Sequence, residues 1–262
     1  MLEAARETKS KDEVEKIRDV GRRTGKVVES ILQLLRNAKS KRGHLEVRGK
    51  RATVGLIKSI IRSRLAEANL VAPEGTIFAA GSSSADPHNF GVPTDEIRPR
   101  MLVVFDIFPQ ADNGYWFDLT RSFLLGRASR KTRKMFEAVL AAQEAGFDHL
   151  RAGVTGARVM NCACDAIEHA GFKSVRALYE GKVRAISSGF THSLGHGVGL
   201  TIGERPSLSL MNNEPLRDGN VVTVEPGIYV PGYGGVRIED TVRVTSKGIE
   251  NLAHLDRELE IS

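Results

Sequence analysis

No stretch of this chain approaches the roughly 18 uninterrupted apolar residues that a membrane-spanning helix requires. The N-terminal run MLEAARETKSKDEVEKIRDV also lacks the apolar centre of a secretory leader. Both absences make the cytoplasm the expected location. Cysteine is equally scarce, with Cys162 and Cys164 the only two. They fall in a helical pattern, where residues two apart do not face each other, and no further cysteine could complete a soft-metal site. Both read as core thiols in a reducing compartment. Aromatic residues make up 6% of the chain, and the basic cluster Arg36, Lys39, Lys41, Arg42, Arg48, Lys50 and Arg51 is poor in them. Without rings to interleave with bases, and without a groove-reading motif, this run reads as a solvated loop face. Nucleic acid is not an expected partner despite a formal net charge of +6.

What is present is an ordinary globular composition, 41% hydrophobic and 27% charged over 262 residues, enough for a sizeable core. Ser10 to Glu13 fits a capping box, and Val14, Ile17, Val20, Val27, Val28, Ile31 and Leu35 follow at helical spacing, which predicts an amphipathic helix over 10–36. Leu56, Ile57, Ile60, Ile61 and Leu65 predict a second over 53–68. From Ile77 the pattern changes to short β-rich runs, with a hairpin expected from Leu102–Phe108 and Tyr115–Leu125 across PQADNG. Two more helices are predicted at about 131–151 and 156–170, and a second hairpin lies in NVVTVEPGIYVPGYGGVRIEDTVRVT.

Helix, helix, hairpin therefore occurs twice, an internal repeat. The hairpins echo each other: MLVVFD ends in Asp106 where VVTVE ends in Glu225, and DLT begins with Asp118 where EDT begins with Glu239. The acids are 12 residues apart in the first hairpin and 14 in the second. An acid late in an apolar strand carries a desolvation cost of about several kcal/mol unless a proton, a cation or a metal neutralises it. Brought together by a twofold arrangement, four carboxylates exceed what a single buried cation offsets, whereas two divalent ions balance them.

A histidine pair four residues apart, His192 and His196, sits in THSLGHGVGL. That spacing invites the helical zinc motif, but Gly195, Gly197 and Gly199 would each cost about 1 kcal/mol inside a helix. A regular helix is excluded, and any metal bound here needs ligands from elsewhere. Mostly oxygen donors with one imidazole suit Mn, Co, Fe or Zn in an open site better than a closed structural zinc. The runs GHGVG and GYGG do not follow the strand-glycine-helix order of a phosphate loop.

The ordered set Asp106, Asp118, His196, Glu225 and Glu239 resembles the metal ligands of the pita-bread metallopeptidases, the family of methionine aminopeptidase, Xaa-Pro aminopeptidase and prolidase. The resemblance implies an α+β pita-bread fold. In it, two pseudo-twofold helix-helix-hairpin halves, about 10–125 and 131–247, surround a central curved antiparallel sheet in one domain spanning 1–262. It also implies two divalent ions, Mn or Co first and Fe or Zn as alternatives, that activate water and polarise a scissile carbonyl. Glu225 would be general base and then acid.

Details lean toward the Xaa-Pro branch. ADPHNF resembles its Pro-His motif and makes His88 a substrate-contacting candidate, His192 lies four residues before the ligand histidine, and VRIEDT carries Arg237 in an orienting position. By resemblance, His88 and His192 would stabilise the tetrahedral intermediate. The implied partner is a peptide bound by its free amino terminus, and a homodimer is the implied assembly.

Two departures stand out. The first hairpin is one residue longer than the family's usual spacing, and Gly203 stands where the family places a histidine that contacts the scissile bond. Losing one such donor commonly costs about a hundred- to a thousandfold in rate. Arg205 and His192 are the candidates to replace it. Xaa-Pro enzymes usually carry an additional N-terminal domain, so the chain is either a minimal enzyme or a piece of a longer one. A methionine aminopeptidase and a metal-retaining binding module on the same fold remain as alternatives, while a metal-free amidine hydrolase does not need the full ligand set kept here.

Overall fold

The computed structural model describes residues 2–262. A short helix α1 (Leu2–Glu7) leads into α2 (Lys11–Arg36). Ser10 caps α2 through its hydroxyl, which accepts from the Glu13 amide at 3.3 Å, while the Glu13 carboxylate accepts from the Ser10 amide at 2.8 Å. This is the reciprocal box expected from the sequence. The predicted apolar stripe of α2 is buried along its length.

The basic run is not a loop. It forms a three-stranded antiparallel sheet, β1 (Lys39–Lys41), β2 (His44–Val47) and β3 (Lys50–Arg51), whose cations remain exposed. Alternation in β2 turns Leu45 and Val47 into the core. The tight connections carry Arg42 and Arg48 at φ of 50° and 52°. Arginine is an uncommon occupant of that left-handed region, which hid the hairpins from a reading based on Asn-Gly or Asp-Gly signals.

Helix α3 (Val54–Glu67) follows, capped by the Thr53 hydroxyl, then β4 (Leu70–Val71), β5 (Thr76–Ala80) and β6 (Val103–Ile107). The first hairpin is shorter than expected. Between β6 and β8 (Leu119–Leu125) the chain detours through β7 (Gln110–Ala111), which pairs with β4. Tyr115, Trp116 and Phe117 read as strand by composition, but their amides and carbonyls are satisfied piecemeal: Ala111 donates to the Tyr115 carbonyl, Trp116 to Gly199 and Phe117 to Pro109. Their rings enter the core while the backbone stays irregular.

The second half repeats the plan with α4 (Arg130–His149), α5 (Gly156–His169) and a single turn, α6 (Arg176–Tyr179). Cys162 and Cys164 lie buried and unpaired in α5, as expected. Strands β9 (Gly195–Val198), β10 (Ile202–Leu208), β11 (Val221–Val224), β12 (Gly227–Val230), β13 (Gly234–Arg237), β14 (Asp240–Thr245) and β15 (Gly248–Asn251) follow, and β16 (Glu260–Ile261) returns to pair in parallel with β8. The expected second hairpin is present but broken. β11 pairs with β14 and β12 with β13, with Pro226 and Ile238 to Glu239 at the breaks.

The two larger sheets have the orders β16-β8-β6-β5 and β10-β9-β11-β14-β15. They are linked where Thr120 bridges Glu239. One core packs α2 and α3 on the first sheet and another packs α4 and α5 on the second, so the two halves meet along a polar seam. Among the described residues no helix is long and apolar enough to cross a membrane.

Candidate metal centre

The seam is where the five expected ligands converge. Asp106 lies in β6 opposite Thr120 of β8, and Asp118 immediately precedes β8. Glu225 follows β11 and Glu239 precedes β14, one step beyond the Val224 to Asp240 pair. Asp118, Glu225 and Glu239, at strand ends, escape the ladder and line the same cavity as Asp106, while Pro226 and the break at Ile238 end the pairing at that point. His196 comes from β9, flanked by Gly195 and Gly197. A Cβ on either would lie 2.0 Å from the Thr223 carbonyl or 2.4 Å from the Arg205 carbonyl, so the glycines permit a close strand approach.

The imidazole of His196 donates through Nδ1 to its neighbour's carbonyl, Gly197, at 3.1 Å. That bond leaves Nε2 as the free lone pair, 3.5 Å from Asp118 Oδ2 and 3.4 Å from Glu225 Oε1. Ligand atoms of Asp118, His196 and Glu239 all fall within 4.8 Å of one another.

Supporting bonds orient these groups. The Thr223 hydroxyl accepts from the His196 amide at 3.0 Å and donates to Glu225 at 3.1 Å. Thr120 donates to Glu239 Oε2 at 2.6 Å, and Thr241 donates to the Asp118 carbonyl at 2.8 Å. Each half thus supplies a threonine that holds an acid of the other half. The signal was present in the sequence as the shared threonine of DLT and EDT.

Three buried oxygens, Asp106 Oδ1, Asp118 Oδ1 and Glu239 Oε1, have no hydrogen-bond partner. Native structures rarely leave such atoms unsatisfied, and an acid oxygen in this position needs a proton or a cation. Without a metal, protonation is favoured. Burial, then the charges of Glu239, Asp106 and Glu225, push Asp118 well above the ordinary carboxyl range. Burial and the same crowding raise Glu239, and burial with Asp106 lifts Glu225 to about 7 despite the opposing Arg237. Four acids, one imidazole lone pair and three orphaned oxygens therefore fit divalent cations.

Among the described residues Arg237 is the one fixed cation bonded to a carboxylate of this cluster, and it is 3% exposed. Its guanidinium donates to Asp106 Oδ2 at 2.6 Å, to the Tyr229 hydroxyl at 2.7 Å and to the Pro87 carbonyl at 3.3 Å. Tyr229 was missed by the sequence reading. It spends its proton on His192 Nε2 at 2.9 Å, and His192 Nδ1 donates to the Ser193 carbonyl at 2.8 Å. Both nitrogens of His192 are thus engaged inside the protein, and burial followed by the Arg237 charge drives its pKa down to about 3. His88 lies on the exposed loop after β5, its amide held by Asp86 at 3.0 Å.

The cavity over these groups has a volume of about 370 Å³ and includes both His88 and His192 in its lining. Ile77, Phe90, Phe108 and Ile202 supply its apolar wall. Gly203, next to Ile202, adopts φ of 76°, and a Cβ there would meet nothing within 4 Å. Neighbouring side chains do not replace the missing one. Glu204 is bound to Lys9 at 2.6 Å, and Arg205 pairs with Glu7 at 3.0 Å outside the cavity.

Comparison with known proteins places this geometry. Metallopeptidase family M24 matches residues 15–246. The chain is 40% identical over 185 residues to an Xaa-Pro dipeptidase of Pyrococcus furiosus, covering 70% of this chain and 48% of that protein. An Xaa-Pro dipeptidase of Lactobacillus helveticus is 36% identical over 186 residues, 71% of this chain and 46% of the relative. The chain spans about half the length of these curated relatives. Among solved structures, an X-Pro aminopeptidase from Thermotoga maritima superposes with a TM-score of 0.83 at 28% identity, over 100% of this chain and 66% of that one. Prolidase from Pyrococcus furiosus gives 0.81 at 31% identity, over 98% and 68%. Both neighbours share the pita-bread architecture, and the family match spans both of the acid-bearing hairpins: the chain belongs to metallopeptidase family M24.

Proposed function

We propose that this chain is the catalytic unit of a dinuclear metallo-exopeptidase that removes the N-terminal residue from peptides at Xaa-Pro bonds, as an aminopeptidase or a dipeptidase. The observation that carries the reading is the gathering of Asp118, Glu225 and Glu239 around His196 Nε2, with Asp106 lining the same cavity and three buried acid oxygens left without partners. The Xaa-Pro preference is supported by the names of the relatives, and it ranks above a methionine aminopeptidase for that reason.

Asp106, Asp118, His196, Glu225 and Glu239 would hold two divalent ions, Mn or Co ahead of Fe or Zn, with donors contributed by both halves of one unit. Ions so held lower the pKa of water and polarise a carbonyl. The protein's own groups supply the rest. Glu225 takes up a proton and returns it to the leaving amine. With both nitrogens of His192 bonded within the protein, direct donation to the substrate falls to His88, and His192 fixes Tyr229 and through it Arg237. Arg237 holds Asp106 and the backbone of the His88 loop in register. The apolar wall of Ile77, Phe90, Phe108 and Ile202 suits an apolar substrate side chain. The site is proposed to work in the cytoplasm, in a homodimer, without nucleic acid.

The test is hydrolysis of an Xaa-Pro dipeptide, an Xaa-Pro-Xaa tripeptide and a Met-Ala-Xaa tripeptide by protein stripped of metal and reloaded with Mn or Co. Cleavage of proline substrates alone, lost on chelation, is expected. Cleavage of the methionine peptide alone overturns the Xaa-Pro assignment. Metal uptake with no cleavage of any peptide favours a binding module.

A further inference from the structure

Behind the metal cluster, on the side away from the cavity, lies a buried polar network that neither the sequence reading nor the proposed chemistry uses. Gln143 projects from an otherwise apolar face of α4 and is fully buried. Its amide nitrogen donates to the Val224 carbonyl at 3.0 Å, to the Ile238 carbonyl at 3.3 Å and to Asp240 Oδ2 at 3.1 Å. Val224 and Ile238 are the residues immediately before Glu225 and Glu239. One side chain therefore ties together the two backbone segments that deliver both glutamates.

The other end of the network reaches the first half. Arg121, 3% exposed, uses all five of its N–H groups: Nε to the Asp256 carbonyl, Nη1 to Thr120 and Glu239 carbonyls, and Nη2 to Asp240 Oδ1 and the Leu255 carbonyl. Arg257 closes the network by donating to Gln143 Oε1 at 2.9 Å, which fixes which way the amide faces. A buried amide in the core of α4 pays for no apolar contact that a leucine would not make better, and a satisfied network of this kind holds its members to one geometry.

We propose that Gln143 is a positioning residue for the metal centre: by bracing the Val224 and Ile238 carbonyls it sets the separation of Glu225 and Glu239, with Arg121, Asp240 and Arg257 holding the brace in place. The inference rests on the metal centre read above. Gln143 makes no hydrogen bond to either ligand side chain, so its effect passes through the Val224 and Ile238 backbone and through Asp240. Outer partners of metal ligands typically change metal affinity by about 10- to 100-fold when removed.

The test uses Gln143→Met, which keeps length and apolar volume but removes every donor, beside Val139→Ala, which removes packing from the same buried side of α4. Each protein is stripped and titrated with Co(II), following the visible absorption of the bound ion and the thermal midpoint. Gln143→Met is expected to bind Co(II) about tenfold or more weakly with a changed spectrum. Val139→Ala is expected to lose thermal stability while keeping the wild-type spectrum and affinity. Wild-type spectrum and affinity in Gln143→Met, or the same spectral change in Val139→Ala, overturns the positioning role alone. Wild-type protein that binds no Co(II) removes the centre itself and the inference with it. Should Gln143→Met fail to fold, Arg257→Met frees the amide at its partly exposed end. A changed Co(II) spectrum there supports the brace, and an unchanged one overturns it.

Discussion

Arg237 donates to one oxygen of Asp106 at 2.6 Å and leaves the other, Oδ1, buried without a partner. The pair divides the carboxylate into a half held by the protein and a half available to a cation. Among the described residues Arg237 is also the only fixed positive charge bonded to one of the four carboxylates, so its removal leaves the buried Asp106 charge uncompensated. Breaking a buried pair by deleting one partner typically costs about 3–5 kcal/mol. Arg237→Met is expected to lower the thermal midpoint of metal-free protein by about 6 °C or more, at about 2–4 °C per kcal/mol. Divalent ions supply replacement charge, so the metal-loaded variant should lose less. Melting both forms of both proteins checks this, and an equal loss with and without metal would remove the charge argument.

The crowded acids also set a pH dependence for metal-free protein. Burial comes first among the causes that raise Asp118 and Glu239, and Glu225 rises from 4.5 to about 7. The folded chain therefore holds protons that the unfolded chain releases. Stability from this source is fully present below the unfolded value near 4.5 and is lost as pH rises through about 7. Other carboxylates run the opposite way. Glu168 is lowered: burial pushes it up, but Arg176 and the Ser174 hydroxyl together pull it further down, so its contribution is lost only at more acid pH. Stripped protein is expected to melt higher at about pH 5.5 than at about pH 8. Glu225→Gln should reduce that difference and abolish peptide hydrolysis while the fold persists. A variant with near-wild-type turnover would end the assignment of Glu225 as base.

Metal loading should reverse the trend. Cations hold the acids ionised, so uptake releases protons and affinity falls as the solution is acidified. Calorimetric titration with Mn(II) in buffers of different ionisation enthalpy reads the protons directly. Near pH 6 a net release is expected, and its absence would show that the acids were already ionised. His196→Ala deletes the lone pair that faces Asp118 and Glu225. Bound metal per chain should drop, and an unchanged stoichiometry by elemental analysis would refute the ligand assignment.

Parts of this site are legible in the sequence itself. The candidate acids could be found because the hairpins echo each other, Asp106 with Glu225 and Asp118 with Glu239, and because Asp106 and Glu225 each interrupt an apolar run. The capping box of α2 was readable because it is local, needing only Ser10 and Glu13. What stayed hidden depends on contacts between distant segments. Gln143 is one polar letter among many in an amphipathic helix, and its partners lie 81 to 114 residues away. Tyr229 sits in a strand of ordinary composition, and only its bonds to Arg237 and His192 give it meaning. The run Tyr115–Phe117 misled because its rings are core while scattered partners, Pro109 and Ala111 nearby and Gly199 from the second half, satisfy its backbone in place of a ladder.

Gly203 offers the sharpest test of how much catalytic machinery is present. Among the side chains near it, Glu204 is committed to Lys9, Arg205 to Glu7, and His192 to Ser193 and Tyr229. A Cβ at 203 meets open space, so Gly203→His is sterically admitted, but φ of 76° costs a non-glycine residue about 1–2 kcal/mol. The expected result is a thermal midpoint lower by a few degrees and a kcat on an Xaa-Pro substrate higher by about tenfold or more, the scale on which one preorganised donor acts. KM should change much less, because a donor aimed at developing charge acts in the transition state rather than on the bound peptide. A variant that folds, binds metal and turns over no faster would show that the reaction on this scaffold proceeds without a donor at that position, and that the glycine marks a different substrate rather than a slowed enzyme.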